Sequence, residues 1–344
     1  MTCQKIANLI VALAIWIAHI SAYAQGAPVP PYALTAEQLA VVVNDADPSS
    51  VEVAEYYRKA RNIPEKNMVH IRLMGKPAKI DAMTFRFLRQ SINSQLTPNI
   101  QAIVMVWTAP YAVECNSITS AMSFGFDGNL CKRSCAPSRP NPYFNSESIA
   151  PYTDFGIRPS MLLPTESVKQ AQELIDRGVR AGKQLLEGSA YYLTTTDKAR
   201  NSRAAFFPPS ANVPKKRLHI KSLQKDFLEG AADIMIYQIG TPRVPKLETL
   251  HFLPGALADH LTSLGGDLLG QNQMSSLRWL EAGATASYGT VSEPCNYWQK
   301  FPQPTVLLKH YLAGATALEA YLKSVAWPTQ GLLIGEPLAS PYHR

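Results

Sequence analysis

Unbroken apolar runs, separated by amphipathic stretches, constrain the fold of this chain more than any other feature. Residues 39–43 (LAVVV), 100–107 (IQAIVMVW) and 233–239 (DIMIYQI) are apolar almost throughout. Runs of this kind are typical of strands buried on both faces, which occur in parallel sheets covered by helices. Their alternation with helical patterns predicts an α/β fold with three α/β/α layers and a mostly parallel central sheet.

The other elements follow from hydrophobic periodicity and from turn residues. Helix 51–61 has a natural N-cap in Ser49 or Ser50. In helix 82–96 we expect Met83, Phe87 and Ile92 to face the core. The remaining predicted strands are 68–73, 161–163, 190–195, 284–291 and 332–334, and the remaining predicted helices are 165–186, 255–264, 273–281, 306–312 and 318–325.

Residues 108–160 interrupt this alternation. They contain three cysteines and six prolines, and a loop this long in a compact domain is usually functional or an insertion. We therefore predict one α/β domain over residues 25–344, with a Cys/Pro-rich insertion at about 108–160.

The first 24 residues have the features of a secretory signal peptide. Lys5 provides a positive start, residues 6–17 are apolar, and Ala22-Tyr23-Ala24 is a cleavage site of the A-x-A type. The apolar run is shorter than the ~20 residues that a membrane span needs, which favours cleavage over an uncleaved anchor. We expect a mature chain that begins at Gln25, is periplasmic or extracellular, and has no transmembrane segment.

The surplus of positive charge is modest. The formal net charge is +7, and the longest basic run is Lys215-Lys216-Arg217. Nucleic-acid binding would need a denser basic stripe, so a nucleic-acid partner is not expected. Weak attraction to an anionic cell-surface polymer is compatible with this charge.

Four motifs occur in order along the chain: VVVNDADPSSVEVAEYYRKARNIPEKN, GALADHLTSLGG, GATASYGTVSEPCNY and GLLIGEPLA. Together they resemble an uncharacterised family of exported bacterial proteins found in species that carry exosortase, the proposed sorting transpeptidase of the cell surface. The resemblance covers nearly the whole mature chain. It implies an envelope role near the exosortase and polysaccharide export systems, without an assigned reaction.

A second resemblance concerns the fold. The order of GATASYGTV, the helical GATALEAYLKSV and a final strand into Gly-Glu-Pro is similar to gingipain-type, caspase-like cysteine peptidases, and a flavodoxin-like sheet also fits. In those peptidases a His-Gly follows one strand and the nucleophilic Cys follows the next. Here residues 233–239 end in Gly240-Thr241, and Cys295 comes one strand too late. The resemblance therefore implies the fold without the catalytic dyad.

The cysteines allow two interpretations. Cys295 can act as a thiol nucleophile if folding brings a histidine base to it. Alternatively, Cys115, Cys131, Cys135 and Cys295 form two disulfides, in one of three pairings. Cys115 and Cys295 both follow strands, whereas Cys131 and Cys135 share a proline-rich loop. We favour disulfides, because free thiols rarely persist in an oxidising compartment.

His251 and His260 are the candidate bases for such a thiol. His260 lies in predicted helix 255–264, four residues from both Ala256 and Leu264, where a packed histidine is the simpler interpretation. The sequence contains no zinc-ligand spacing, dinucleotide or nucleotide-phosphate motif, or serine-hydrolase elbow. No metal and no cofactor is therefore expected.

Polar residues follow three of the predicted strands, and Glu293 is the strongest candidate for a ligand contact because no helix follows that it can cap. Asp45 and Asp47 have a competing role as caps of the next helix. The carboxyl ends of parallel strands lie on the same side of a sheet. We therefore expect one ligand-binding cleft lined by Asn44, Asp45, Thr108, Tyr111, Glu293 and Cys295.

Two classes of function fit these features. The first is a non-enzymatic exported envelope protein, a binding or accessory factor whose partner is a cell-envelope protein or polysaccharide. The second is a hydrolase or transferase that acts on exported protein or glycan through Asp45 and Glu293, or through Cys295, with His260 as a further catalytic candidate. The missing catalytic motifs favour the first class.

Overall fold

An eleven-stranded sheet forms the centre of the protein, and a three-stranded sheet of β3, β5 and β6 lies outside it. A computed structural model describes residues 33–343; the predicted signal peptide lies outside this range. The strands are β1 (Leu39–Asn44), β2 (Met68–Ile71), β3 (Lys79–Ile80), β4 (Ala102–Met105), β5 (Ala112–Val113), β6 (Asn116–Ser117), β7 (Ser160–Leu162), β8 (Gly188–Thr194), β9 (Ala211–Val213), β10 (Leu218–Gln224), β11 (Ile234–Gly240), β12 (Phe252–Leu261), β13 (Ala286–Thr290) and β14 (Gly331–Gly335).

Helices pack on both faces of this sheet. The predicted three-layer α/β/α fold class is therefore confirmed. Helix α1 packs on α6 and β1, whereas α2 packs on β2, and α3 on β7 and β14. Within residues 33–343, every helix is too short or too polar to span a bilayer. The helices of this part are α1 (Pro48–Arg61), α2 (Ala82–Asn93), α3 (Ile118–Phe124), α4 (Gly128–Lys132), α5 (Pro151–Phe155), α6 (Val168–Arg180), α7 (Leu277–Glu281), α8 (Pro304–Leu312) and α9 (Ala317–Ser324).

The large sheet consists of two parallel blocks that run in opposite directions. The first block has the order β2-β1-β4-β7-β14, and the second has the order β13-β12-β11-β8-β10, with β9 antiparallel at its outer edge. Counted along its own strands, each block has the order 2-1-3-4-5 of flavodoxin-like sheets. The blocks meet where β13 and β14 pair antiparallel, with Ala286 opposite Gly335 and Thr290 opposite Gly331. The carboxyl ends of the two blocks therefore lie at opposite edges of the sheet.

Residues 255–264, predicted to be a helix, belong largely to strand β12. This strand lies between β11 and β13, and its last seven residues are all buried. Alanine and leucine favour a helix locally, but the position between two strands decides the conformation. The glycines that follow β12 pack closely against the sheet. Gly266 lies against β13 so closely that a Cβ there would come within 2.5 Å of the Gly289 carbonyl oxygen.

Helix α1 begins one residue after Asp47, which is its N-cap. The Asp47 carboxylate accepts a hydrogen bond from the Ser49 backbone nitrogen at 3.1 Å, and Pro48 occupies the first helical position. Proline is favoured there because its missing N–H would have no partner in the helix. The capping interpretation of Asp47 is confirmed, and the predicted caps Ser49 and Ser50 are wrong.

Helix α2 buries a different face from the one predicted. Phe85, Leu88 and Ile92 are buried, whereas Met83 and Phe87 are 67% and 65% exposed. Both sets of apolar residues have helical spacing, so the sequence pattern alone does not select between them. This rotation decides which polar residues of α2 face its neighbours.

Candidate functional site

Asn44 and Asp45 lie where β1 ends, and Thr108 follows β4, so all three lie at the carboxyl edge of the first block. Asn44 is buried, and its side chain both accepts from the Leu73 nitrogen at 2.9 Å and donates to the Leu73 oxygen at 3.0 Å. Thr108 Oγ1 accepts from the Thr165 nitrogen at 2.9 Å. Both side chains therefore hold neighbouring loops in place. Asp45 is exposed, and its carboxylate lies 2.8 Å from Nδ1 of the exposed His70.

Tyr111 is buried and links two distant segments of the chain. Its hydroxyl donates to Oδ1 of Asp267 at 2.5 Å, and Asp267 lies in the loop that follows β12. Burial, followed by the hydrogen bond to the Asp267 carboxylate, raises the pKa of Tyr111. The side chain therefore joins the segment after β4 to the second block.

Glu293 and Cys295 follow β13, so they leave the sheet at the edge opposite to Asp45. The expectation of one cleft rested on all strands running in the same direction, and the antiparallel pairing of β13 with β14 makes it wrong. Glu293 is exposed, and its Oε1 accepts from the Cys295 nitrogen at 2.7 Å. The structure thus does not bring the Asp45 and Glu293 carboxylates together.

All four cysteines of the described residues form disulfides, which confirms that part of the prediction. Cys115 is bonded to Cys131, and Cys135 to Cys295. Of the three pairings that the sequence leaves open, this one forms because the insertion folds back on itself to bring Cys115 to Cys131 and reaches the segment after β13 to bring Cys135 to Cys295. Cys295 therefore carries no thiol. Lys300 lies in the same region. Its side chain is buried, and its ammonium donates a hydrogen bond to the Ser134 oxygen at 2.7 Å.

His260 lies on β12 and is fully buried. Its Nδ1 accepts from Trp279 Nε1 at 2.9 Å, and its Nε2 lies 3.0 Å from the Met274 oxygen, which requires a proton on Nε2. Burial lowers its pKa to about 3. Both ring nitrogens are occupied and the ring is neutral, so His260 is a packed histidine. His251 precedes β12 while Cys295 follows the parallel β13, which places the two at opposite edges.

Glu336, the acidic residue that follows β14, is buried and paired. Its carboxylate accepts from the Tyr57 hydroxyl at 2.7 Å and forms an ion pair with Arg61 at 2.5 Å. Asp259 forms a fully buried ion pair with Arg203 in the same way. Within residues 33–343, no three His, Cys, Asp or Glu side chains are grouped so as to hold a metal ion.

Three arginines line two depressions on the face of the first block. The larger depression, about 420 Å³, runs along α2 past Arg86, Arg89 and Phe126. The second, about 250 Å³, lies over Ile103 of β4 and is bounded by Arg89 and Arg158. Both are lined by Arg89 and Asn93, so they adjoin and form one arginine groove. The full lining is Ala82, Phe85, Arg86, Arg89, Gln90, Asn93, Leu96, Ile103, Met122, Ser123, Phe126, Tyr152, Gly156 and Arg158.

The charges of the arginine groove are not compensated by protein carboxylates. Its lining contains no acidic residue, and none of the ion pairs of the described chain involves Arg86, Arg89 or Arg158. Buried Arg203 and half-buried Arg61, by contrast, each have a carboxylate partner. Cations placed together without counter-charges are suited to binding an anion.

Each groove arginine is held differently. Arg158 donates through Nε to the Ile100 oxygen at 2.8 Å, and its guanidinium lies 3.3 Å from the centre of the Tyr152 ring. Arg89 has a buried Nε without a hydrogen-bond partner, and burial lowers its pKa. Arg86 is exposed. The site thus has a fixed arginine at one end, a partly desolvated one at the centre and an accessible one along the helix.

The acidic residues closest in sequence to the groove are engaged elsewhere. Asp81 caps α2 and accepts from the Met83 and Thr84 nitrogens, and Asp127 accepts from the Asn129 nitrogen at 3.0 Å. A smaller depression of about 80 Å³ beside α6 contains Arg177 together with three glutamates, so its charges are mixed. Another depression, of about 260 Å³, contains Arg180 and Lys183 without an acidic residue. The arginine groove groups three guanidinium groups, so we take it as the candidate functional site.

Sequence reasoning missed this groove because helix α2 was given the wrong rotation. With Phe85, Leu88 and Ile92 facing the core, the residues on the adjacent stripe are Arg86, Arg89 and Asn93. Their spacing of three and seven residues was visible in the sequence, and a correct helix phase would have indicated a basic stripe. Arg158 is distant in sequence, and no local pattern connects it to α2.

Comparisons with known proteins add little. No family model and no curated protein matches the chain. A solved structure described as "Structure of Protease" is similar, with a TM-score of 0.46 and 11% sequence identity over 91% of this chain and 80% of that chain. A likeness of this size carries no argument about activity. The resemblance to the exosortase-associated family therefore stays a prediction.

Proposed function

We propose that this chain is a non-enzymatic, exported binding protein whose ligand is an anion held in the arginine groove. The observation that carries this proposal is the grouping of Arg86, Arg89 and Arg158 around two adjoining depressions without an acidic residue in the lining. The larger depression, at about 420 Å³, lies within the ~300–1,000 Å³ range of small-molecule sites.

Arg89 supplies the physical reason for an anionic ligand. The side chain lines both depressions, is half-buried and has no carboxylate partner among the described residues. A carboxylate or phosphate oxygen placed at the Arg89 guanidinium would accept from it and neutralise its charge. A charge-assisted bond of this kind contributes ~1.5–3 kcal/mol where water is excluded, and less at the exposed Arg86.

The enzymatic alternatives have less support. Cys295 is bonded to Cys135 and has no thiol, and His260 has both nitrogens occupied. Glycoside chemistry through Asp45 and Glu293 would need two facing carboxylates at a defined separation, and these two follow strands that end at opposite edges. Glu293 and Asp45 are both exposed, so each could contact a ligand separately. Glu293→Gln tests this for Glu293, because it should weaken ligand binding if the carboxylate makes the contact.

An exported location agrees with the two disulfides, which form in oxidising compartments. We place the protein in the periplasm or outside the cell, with a cell-envelope component as its partner. The predicted link to exosortase and polysaccharide export belongs to this proposal and rests on the sequence motifs.

The proposal is tested by calorimetric titration with citrate and with pyrophosphate, two multivalent anions that carry carboxylate and phosphate groups respectively. We expect at least one to bind, and Arg89→Gln to weaken that binding about tenfold or more, the loss of one charge-assisted bond. Arg139→Gln is the matched control, because Arg139 is an exposed arginine that lines neither depression of the groove.

Two results would contradict the proposal. One is the absence of binding for both anions at low ionic strength. The other is equal weakening by Arg89→Gln and Arg139→Gln, which would mean that the anions respond only to the net charge of the surface.

A further inference from the structure

We infer that the ligand of the arginine groove is a linear acidic polysaccharide, a chain of uronic acid units that occupies both depressions at once. This inference rests on the proposed function and specifies its ligand class. The first reason is the distribution of charge. Arg86 belongs to the larger depression alone and Arg158 to the smaller alone, while Arg89 lies between them. A ligand that uses all three needs negative charge at more than one position along its length.

The uncharged part of the lining suits sugar rings. The amides of Gln90 and Asn93 can each donate and accept hydrogen bonds, as ring hydroxyls require. Phe126 lies along the larger depression and provides a half-buried aromatic ring there, whereas the Tyr152 ring in the smaller depression is stacked against the Arg158 guanidinium. A uronic acid unit presents hydroxyls, a C–H face and a carboxylate. The amides, the aromatic ring and the guanidinium groups of the groove can bind these three features respectively.

The shape of the groove follows helix α2. The lining residues of α2 extend from Ala82 to Asn93, a helical length of about 16 Å at 1.5 Å per residue. The groove continues past Asn93 to Arg158, which precedes β7. It is open and elongated, as binding a polymer chain requires, and it is not a closed pocket for one small anion.

A peptide fits the groove less well. Extended peptides bind by adding a strand to an exposed sheet edge, but β4, which underlies the groove at Ile103, is paired with β1 on one side and β7 on the other. A helical peptide would need an apolar groove, and here arginines and amides line the walls. Peptide binding is therefore an outcome that the test must be able to detect.

The test is titration of the whole mature protein with galacturonic acid, its trimer and its hexamer, with maltohexaose as the neutral chain of equal length. We expect affinity to rise at least tenfold from monomer to hexamer and maltohexaose not to bind. Arg86→Gln and Arg158→Gln should each weaken hexamer binding about tenfold, and Arg139→Gln should leave it unchanged. Because Arg158 also holds backbone carbonyls, Asn93→Ala serves as a second variant at the shared wall, with a smaller loss expected.

Four outcomes would overturn the inference. Equal affinity for the monomer and the hexamer would indicate a small-anion site, and the proposed function would stand. Tighter binding of polyphosphate, of single-stranded DNA or of polyglutamate than of polygalacturonate at the same salt concentration would assign the groove to a different polymer. Binding of maltohexaose as tight as that of the hexamer would remove the role of charge. If none of these anions binds, and citrate and pyrophosphate do not bind either, the proposed function is overturned as well.

Discussion

The neutral, buried His260 predicts a specific loss of stability in acid. In the unfolded chain its imidazole takes up a proton near pH 6.5, whereas in the folded protein burial lowers the pKa to about 3. Between these two values the unfolded state binds more protons than the folded state, so stability falls as the pH decreases from 6.5 towards 3. Each pH unit in this window contributes ~1.36 kcal/mol. At pH 4.5, two units below the unfolded value, His260 should reduce the free energy of unfolding by about 3 kcal/mol.

His260→Gln is the perturbation that isolates this effect. Glutamine can still donate to the Met274 oxygen, but it does not titrate. It leaves Trp279 Nε1 without its acceptor, so we expect the variant to be less stable at pH 7 by ~1–3 kcal/mol. Between pH 7 and pH 4.5, however, the variant should lose about 3 kcal/mol less stability than the wild type does. The difference between the two proteins should therefore shrink or change sign in acid.

Urea unfolding curves at the two pH values, with the disulfides intact, measure these free energies. His251→Gln is the matched control, since His251 is exposed and lies just before the same strand. Parallel stability losses in the wild type and in His260→Gln on acidification would refute the argument, because they would show that His260 is protonated in the folded protein or is accessible to water.

Three further predictions concern stability and the disulfides. Glu336→Gln should lower the free energy of unfolding by about 3 kcal/mol, because it leaves the Arg61 guanidinium without its buried counter-charge; a loss below ~1 kcal/mol in urea unfolding would contradict the pairing. Asp47→Ala should cost ~1 kcal/mol through loss of the α1 cap, whereas Ser49→Ala should cost much less in the same assay. Thiol titration of the denatured, unreduced mature protein should find no free cysteine, and mass mapping should find Cys135 joined to Cys295; one titratable thiol would reopen the nucleophile hypothesis.

The sequence predicted the strands of this fold better than its site. The runs at 39–43 and 233–239 are buried on both faces in β1 and β11, and their composition alone indicates this. The direction in which a strand runs in the sheet, in contrast, cannot be read from the amino-acid composition of that strand. Nothing in residues 286–290 shows that β13 is antiparallel to β14, and this one pairing separates Glu293 from Asp45.

The same limit explains the two helix errors. The residues of β12 have a helical pattern, and only their place between β11 and β13 makes them a strand. In α2, two sets of apolar residues compete for the core, and the packing against β2 selects one of them. Local sequence determines the propensity of a segment for helix or strand. Which of two apolar faces is buried, however, depends on contacts with elements that are distant in the chain. The arginine groove depends on the outcome of that competition.

Strand β14 has a consequence for how the protein is made. It is the fifth strand of the first block, yet the whole second block precedes it in the chain. Until β14 is synthesised, β7 is an unpaired edge strand whose three residues are all buried in the complete fold, and open edges of this kind pair with other chains and cause aggregation. The first five-strand block is therefore not contiguous in the chain, and we expect a fragment that stops before β14 to aggregate. A circular permutant that starts with β14 and continues through the joined termini into β1 would make the first block contiguous.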